Sequence, residues 1–222
     1  WVFSQVTLQL FFGLAVALLL NQKFRGRGAV RAVVFVPWAI SGVLTSVIWM
    51  LMYNEHMGVF NDILMRLGII DKPAAFLAST GSAFVAVVIA ELWRGIPFFA
   101  VSFLAALQSI PNELYEAADV DGAGKVYQFT NITLPLIKKT IILTTMLRTI
   151  WTFKSVDIIA GMTDGAPNNS TMTLPHYLLT TFNEGMDIGY SSAIAGIMSL
   201  MMAIFAIIYG ITSGAMKEDD VV

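Results

Sequence analysis

Residues 109–135 read SIPNELYEAADVDGAGKVYQFTNITLP and separate a pair of long apolar runs. The stretch is polar, rich in helix formers and too long for a tight turn. Pro111 suits a first helical turn, where its missing N–H is no loss, and Glu113 and Glu116 then lie near the positive end of the helix dipole. A short helix to about residue 119 is expected. Gly122 leads the backbone out of it at little steric cost, Asp121 is the expected N-cap of a second helix over residues 123–133, and Leu134-Pro135 opens the next apolar run.

Outward from this stretch, the composition is that of a membrane protein. Of 222 residues 57% are hydrophobic and only 13% charged, and the charges cluster between apolar runs. A net charge of −2 argues against a nucleic-acid partner. Without cysteine there is no disulfide framework and no thiolate metal site. The chain opens on Trp1 inside an apolar run that lacks a basic leading region and a cleavage pattern, so this run is expected to be a span of a longer protein and not a signal peptide.

Five runs, residues 1–20, 29–53, 82–107, 134–158 and 191–215, reach the roughly 20 residues that a helix needs to cross a bilayer. The expected fold is an all-α, polytopic membrane helix bundle forming a single domain over residues 1–222. Strands or loops facing lipid would leave backbone groups unpaired. Lys23, Arg25, Arg27 and Arg31 fall after the first run, Lys125, Lys138 and Lys139 around the central stretch, and Lys217 in the tail. These segments share one side by parity, whereas the loops opposite carry only Arg66 and Lys72. The basic side is therefore expected to be cytoplasmic, with residue 1 outside and the C-terminus inside. Trp1, Trp49 and Tyr53 are expected at the outer interface, a short surface helix over residues 59–67, and a turn-rich loop over residues 161–190.

Four landmarks in the central stretch carry a family resemblance. Glu116-Ala117-Ala118, then Gly122, then Ile132-Thr133-Leu134-Pro135, resembles the EAA loop of permease subunits of binding-protein-dependent ABC importers. Ile110-Pro111, Leu114-Tyr115-Glu116-Ala117-Ala118 and Asp121-Gly122-Ala123 look like the carbohydrate, maltose-type branch, and Trp93-Arg94-Gly95-Ile96-Pro97-Phe98 and Asp164-Gly165-Ala166-Pro167 look like further landmarks. The resemblance implies the type I importer permease fold, with one more span upstream, in a prokaryotic inner membrane. It implies a second permease subunit, two ATPase subunits that hold ATP and magnesium, and an extracytoplasmic solute-binding protein. This chain would bind no cofactor itself and would not be an enzyme. Leu114, Tyr115, Glu116, Ala117, Ala118, Asp121, Gly122 and Ala123 would form the contact with the ATPase, and the solute would be a sugar or oligosaccharide.

Charges inside spans are the other informative feature, because each costs about 2.5–3.5 kcal/mol near a helix centre unless paired or wet. Glu91, Arg94, Gly95 and Phe98 share one face of the third run, and Arg148, Trp151, Thr152 and Ser155 share one face of the fourth. Pro97 frees the carbonyl of Trp93 and is expected to kink the helix. Two readings stay open. The stripes line a hydrated path, with Phe98 and Trp151 stacking on sugar faces, or Glu91 pairs with Arg94 or Arg148 and fastens helices together. The resemblance favours the path, since the segment around Trp93 and the middle of the next span supply solute contacts in maltose-type permeases.

Other motifs are declined. Asp119-Val120-Asp121 mimics the metal-binding pair of a glycosyltransferase but belongs to the helix–turn pattern already described. Gly122-Ala123-Gly124-Lys125 lacks both the first glycine and the hydroxyl of a phosphate loop. His56 and His176 are expected at the outer surface without a ligand cluster. A permease for a non-sugar solute, a secondary transporter and a membrane glycosyltransferase are the competing functions.

Overall fold

The computed structural model describes residues 1–213. Its helices are α1 (Val2–Asn21), α2 (Arg27–Ala39), α3 (Gly42–Met52), α4 (Val59–Arg66), α5 (Thr80–Gln108), α6 (Asn112–Val120), α7 (Lys125–Gln128), α8 (Leu134–Lys154), α9 (Asp157–Met162), α10 (Leu174–Asn183) and α11 (Ile188–Ser213), with a π-helical turn, Phe129–Thr133, joining α7 to α8. No strand occurs among the described residues, so the fold is all-α as expected. The helices α1, α5 and α11 are each long and apolar enough to cross a bilayer. At 21 residues α8 is long enough too, but it carries Lys138, Lys139, Arg148 and Lys154. Residues 214–215 of the fifth run and the tail with Lys217 lie outside the described residues.

The second run departs from expectation. It is not one helix over residues 29–53 but the pair α2 and α3, bent by 100°. Pro37 near the end of α2 contributes no N–H. Ile40 and Ser41 then turn extended, and the Ser41 hydroxyl accepts the Leu44 N–H at 3.3 Å as the N-cap of α3. The fourth run is also shorter than expected. It ends at Lys154, because Ser155 is extended (ψ 132°), which takes Ser155 off the helical face predicted for it. After Ser155 the chain turns into α9, which packs on α3. A Cβ on Gly42 would come within 2.6 Å of the Asp157 side chain, so the two helices meet at near backbone contact. Pro97 is accommodated within the unbroken α5.

Two apolar clusters hold the bundle. One joins Ala17 and Leu20 of α1 to Phe99, Phe103, Leu104 and Leu107 of α5, with Ile110 and Ile137 beside them. Gly13 makes this approach possible, since a Cβ there would collide with the Phe99 Cβ and lie 3.3 Å from the Ala100 amide nitrogen. The other joins Trp49 and Tyr53 to Ala86, Val87 and Ala90 of α5 and to Ile158, Ile159 and Met162 of α9. Trp49 and Tyr53 are thus buried inside the bundle. Their rings lie 5.5 Å apart, and the Tyr53 hydroxyl donates to the Ala86 carbonyl at 3.3 Å. Beneath α4, the buried Asn61 amide donates to the carbonyls of Asn54, Glu55 and Ala74 and accepts from the Ala74 N–H, fastening the loop.

The loop over residues 161–190 holds a helix, α10, and buries His176, whose Nε2 lies 3.2 Å from Asp164 Oδ1. Both were expected otherwise. An apolar surface for α10 to pack on exists only once α11, its main neighbour, is in place.

Replacing Gly13 with Val is expected to cost about 1–3 kcal/mol through overpacking against α5, seen as a lower thermal midpoint in detergent. Gly196→Ala, where a Cβ meets nothing within 4 Å, is the control and should leave the midpoint unchanged. Equal midpoints for both variants would contradict the close α1–α5 contact.

Candidate functional site: an exposed elbow and a buried polar node

The elbow is built by local rules. Pro111, extended at ψ 135°, is the N-cap of α6, one residue earlier than its expected place in the first turn. At the other end the Gly122 N–H bonds the Asp119 carbonyl at 3.1 Å and the Ala123 N–H reaches back to the Ala118 carbonyl at 2.8 Å. With Gly122 at φ 76°, this is the glycine-terminated helix stop that satisfies the last carbonyls. Asp121 therefore closes α6 and does not cap the next helix, which starts at Lys125 behind Gly124. The expected separate second helix is also corrected, because α7, the π turn and α8 form one continuous rod.

Side chains lock α6 to the base of that rod. The Tyr115 hydroxyl shares a hydrogen bond of 2.9 Å with Thr133 Oγ1 in the π turn. Gln128 is buried, and its amide donates to Asp119 Oδ1 and to the Ala123 carbonyl, while Lys125 Nζ donates to the same Asp119 oxygen at 3.3 Å. The Gln128 hydrogen bond, followed by that of Lys125, holds the Asp119 carboxyl below its usual range. The other face of α6 stays open. Leu114, Glu116 and Ala117 point outward, and Ala118, Asp121, Ala123 and Tyr127 line a cleft of about 260 Å³.

The polar node lies where α1, α5 and α8 meet. Glu91 is 1% exposed and receives both arginines: Arg148 Nη2 donates to Oε1 at 2.7 Å, and Arg94 donates to Oε2 at 3.0 Å and to Oε1 at 3.1 Å. Arg148 Nε donates to Gln9 Oε1 at 2.6 Å. The Gln9 amide donates to Gln5 Oε1 at 2.9 Å and to the Glu91 carbonyl at 3.2 Å, and Gln5 donates to the Val88 carbonyl at 3.2 Å. Gly95 leaves the room for this crossing, because a Cβ there would occupy the place of Arg148 Nη2 and the Gln9 amide.

The structure thus brings Glu91, Arg94, Gly95 and Arg148 together, sealed inside the bundle except for Arg94, whose side chain keeps 19% of its surface exposed. Next to them the rings of Phe98 and Trp151 lie 5.2 Å apart, with Trp151 39% exposed. Thr152 is buried and its hydroxyl finds no partner among the described residues. Gln5, Gln9 and Gln128 belong to these two assemblies without having been expected there, and Thr133, one of the landmark residues, joins the elbow. The usable signal was the i, i+4 pair of amides in an otherwise apolar first run.

Residues 9–218 match the family model described as the binding-protein-dependent transport system inner membrane component. The chain is 41% identical over 207 residues to the trehalose/maltose transport system permease protein MalF of Thermococcus litoralis, covering 93% of this chain and 69% of that protein. It is 40% identical to the sulfoquinovosyl glycerol transport system permease protein SmoG of Agrobacterium fabrum, covering 89% and 64% respectively. In fold it matches a bacterial ABC transporter involved in the import of the acidic polysaccharide alginate, with a TM-score of 0.84 at 22% identity over 98% of this chain and 79% of that one.

The node ranks its own substitutions. Glu91→Leu strands two guanidinium groups in an apolar bundle and is expected to cost about 3–5 kcal/mol, whereas Arg148→Leu leaves the Glu91–Arg94 pair intact and should cost about 1–3 kcal/mol. Thermal unfolding of the two variants in lipid nanodiscs reads the difference, and the reverse order would show that the carboxylate is not the hub.

Proposed function

The chain belongs to the binding-protein-dependent transport system inner membrane components, and from that premise we propose that it is the permease subunit of an ATP-driven importer for a sugar or oligosaccharide. Membership makes it a multi-pass membrane transport component and not itself an enzyme. Relatives named for trehalose/maltose, lactose and diacetylchitobiose transport support the carbohydrate class. Its partners in this reading are a second permease subunit, two ATPase subunits carrying ATP and magnesium, and an extracytoplasmic binding protein. A structural neighbour was solved with an alginate pentasaccharide-bound periplasmic protein, which supports the last of these. The elbow end faces the cytoplasm and Trp1 lies outside, in keeping with the basic residues at the elbow end.

The observation that carries the mechanism is the double lock between α6 and the rod. Alanines 117 and 118 let a partner surface approach the outer face of α6 closely, with Glu116 exposed to meet a basic group there. Closure of the ATPases on ATP displaces α6. Tyr115–Thr133 and Asp119–Gln128 carry that displacement into the base of α8. Further along α8, Arg148 passes it to α1 through Gln9 and to α5 through Glu91. One push in the cytoplasm thereby moves three spans, which alternates access to the solute path.

Arg94, Phe98 and Trp151 are the residues of the node region that stay accessible, and they line that path in this reading. Arg94 lies about 21 Å along α5, near its middle, where a partly exposed guanidinium facing lipid would be costly. The rings of Phe98 and Trp151 beside it suit the apolar faces of a sugar. Glu91, Gly95, Arg148 and Thr152 stand behind them and position them.

In the full-length protein reconstituted with its partner subunits, Gln128→Leu should leave stimulated ATP hydrolysis in place while uptake falls on the order of tenfold, the worth of one charge-assisted hydrogen bond in the coupling step. Ala118→Trp should prevent co-purification of the ATPases. Normal uptake in both variants would rule the lever out.

A further inference from the structure

The connector between α1 and α2 has a charge that the transport mechanism does not use. Lys23, Arg25, Arg27 and Arg31 fall within nine positions, and no acidic residue lies between positions 1 and 54. Lys23 and Arg25 are exposed, and no ion pair among the described residues involves any of the four. Arg31 spends one guanidinium nitrogen on the Leu20 carbonyl at 3.1 Å, which ties α2 to the end of α1, and its Nε is buried without a partner among the described residues. Apolar side chains stand open beside these charges: Phe24 is 44% exposed, Val30 43% and Val33 70%.

Packing places this segment at the elbow end of the bundle. Leu20 shares a cluster with Leu107, Ile110 and the ring of Tyr115, and Val34 of α2 packs against the same cluster. The 100° bend turns α2 away from the direction of α3, so α2 does not simply continue a straight crossing. A helix start that combines uncompensated cations with exposed valines and a phenylalanine is the pattern that seats at a membrane surface, cations among head groups and apolar side chains at the acyl boundary.

We propose that residues 23–31 form a binding site for the head groups of anionic phospholipids. Charge complementarity selects that occupant, because a zwitterionic head group brings no net charge to four uncompensated cations. The bound phosphates hold the start of α2, and through Arg31 the end of α1, at the leaflet beside the elbow.

The test titrates a short-chain phosphatidylglycerol, and separately a short-chain phosphatidylcholine, into the detergent-purified complete transporter and reads lipid adducts by native mass spectrometry. The unaltered protein should bind phosphatidylglycerol in preference, more weakly as salt is raised. Arg25→Gln should weaken that binding roughly fivefold, and the triple variant Lys23→Gln, Arg25→Gln, Arg27→Gln about a hundredfold, with phosphatidylcholine unaffected. The single variant keeps the experiment informative if loss of three loop charges disturbs insertion. Equal binding of the two lipids by the unaltered protein would overturn the proposal. A photo-crosslinker at position 25 that captures a partner subunit in membranes, and no lipid, would overturn it as well.

Discussion

One carboxylate holds the middle of this bundle together. Glu91 sits among apolar helices at 1% exposure, where an ionised group survives only if its charge is met and its oxygens are bonded. Arg94 meets it from the next turn of the same helix, and Arg148 reaches it from α8. That second contact has structural consequences, because Arg148 must pass through the space that a side chain on Gly95 would fill. Gln9 then completes the arrangement by accepting from Arg148 and donating to the α5 backbone, so three helices are fixed by one set of bonds. Apolar packing alone discriminates poorly between helix registers inside a membrane, since lipid tails are as apolar as leucine. Directional bonds to a single carboxylate do not share that ambiguity.

The elbow solves a different problem with similar means. A helix of nine residues exposed to water has little intrinsic stability. Here α6 is stopped cleanly by Gly122, folded back onto α7 and held by Tyr115, Asp119 and Gln128. The free face keeps its small residues and Glu116 exposed. The proposed lever would need rigidity toward α8 and accessibility toward its partner, and the two faces of α6 divide in that way.

The two devices are joined by α8, which begins at the locked π turn and reaches the node at Arg148. Hydrogen-bonded contacts at both places make α8 the link between them in the proposed mechanism, while the bent pair α2 and α3 packs on α5. The break at Ile40 and Ser41 lets α3 pack on α9 while α2 stays near the elbow end, tied to the end of α1 through Arg31 and the Leu20 carbonyl.

Much of this was readable from residues 109–135 and from the apolar runs. Helix class, the limits of α4 and α6 and the pairing option for Glu91 follow from local rules: the period of apolar residues, the glycine stop, and the impossibility of leaving a charge alone in hydrocarbon. Tertiary structure decided the rest. The bend at residue 40, the end of α8 at Lys154, the burial of Trp49, Tyr53 and His176, and the choice of both arginines for Glu91 depend on which helices become neighbours. Gln9 shows why most plainly. Its partners Glu91 and Arg148 lie 82 and 139 positions away, and nothing within a local window can indicate that an amide in the first apolar run will receive a guanidinium from the fourth.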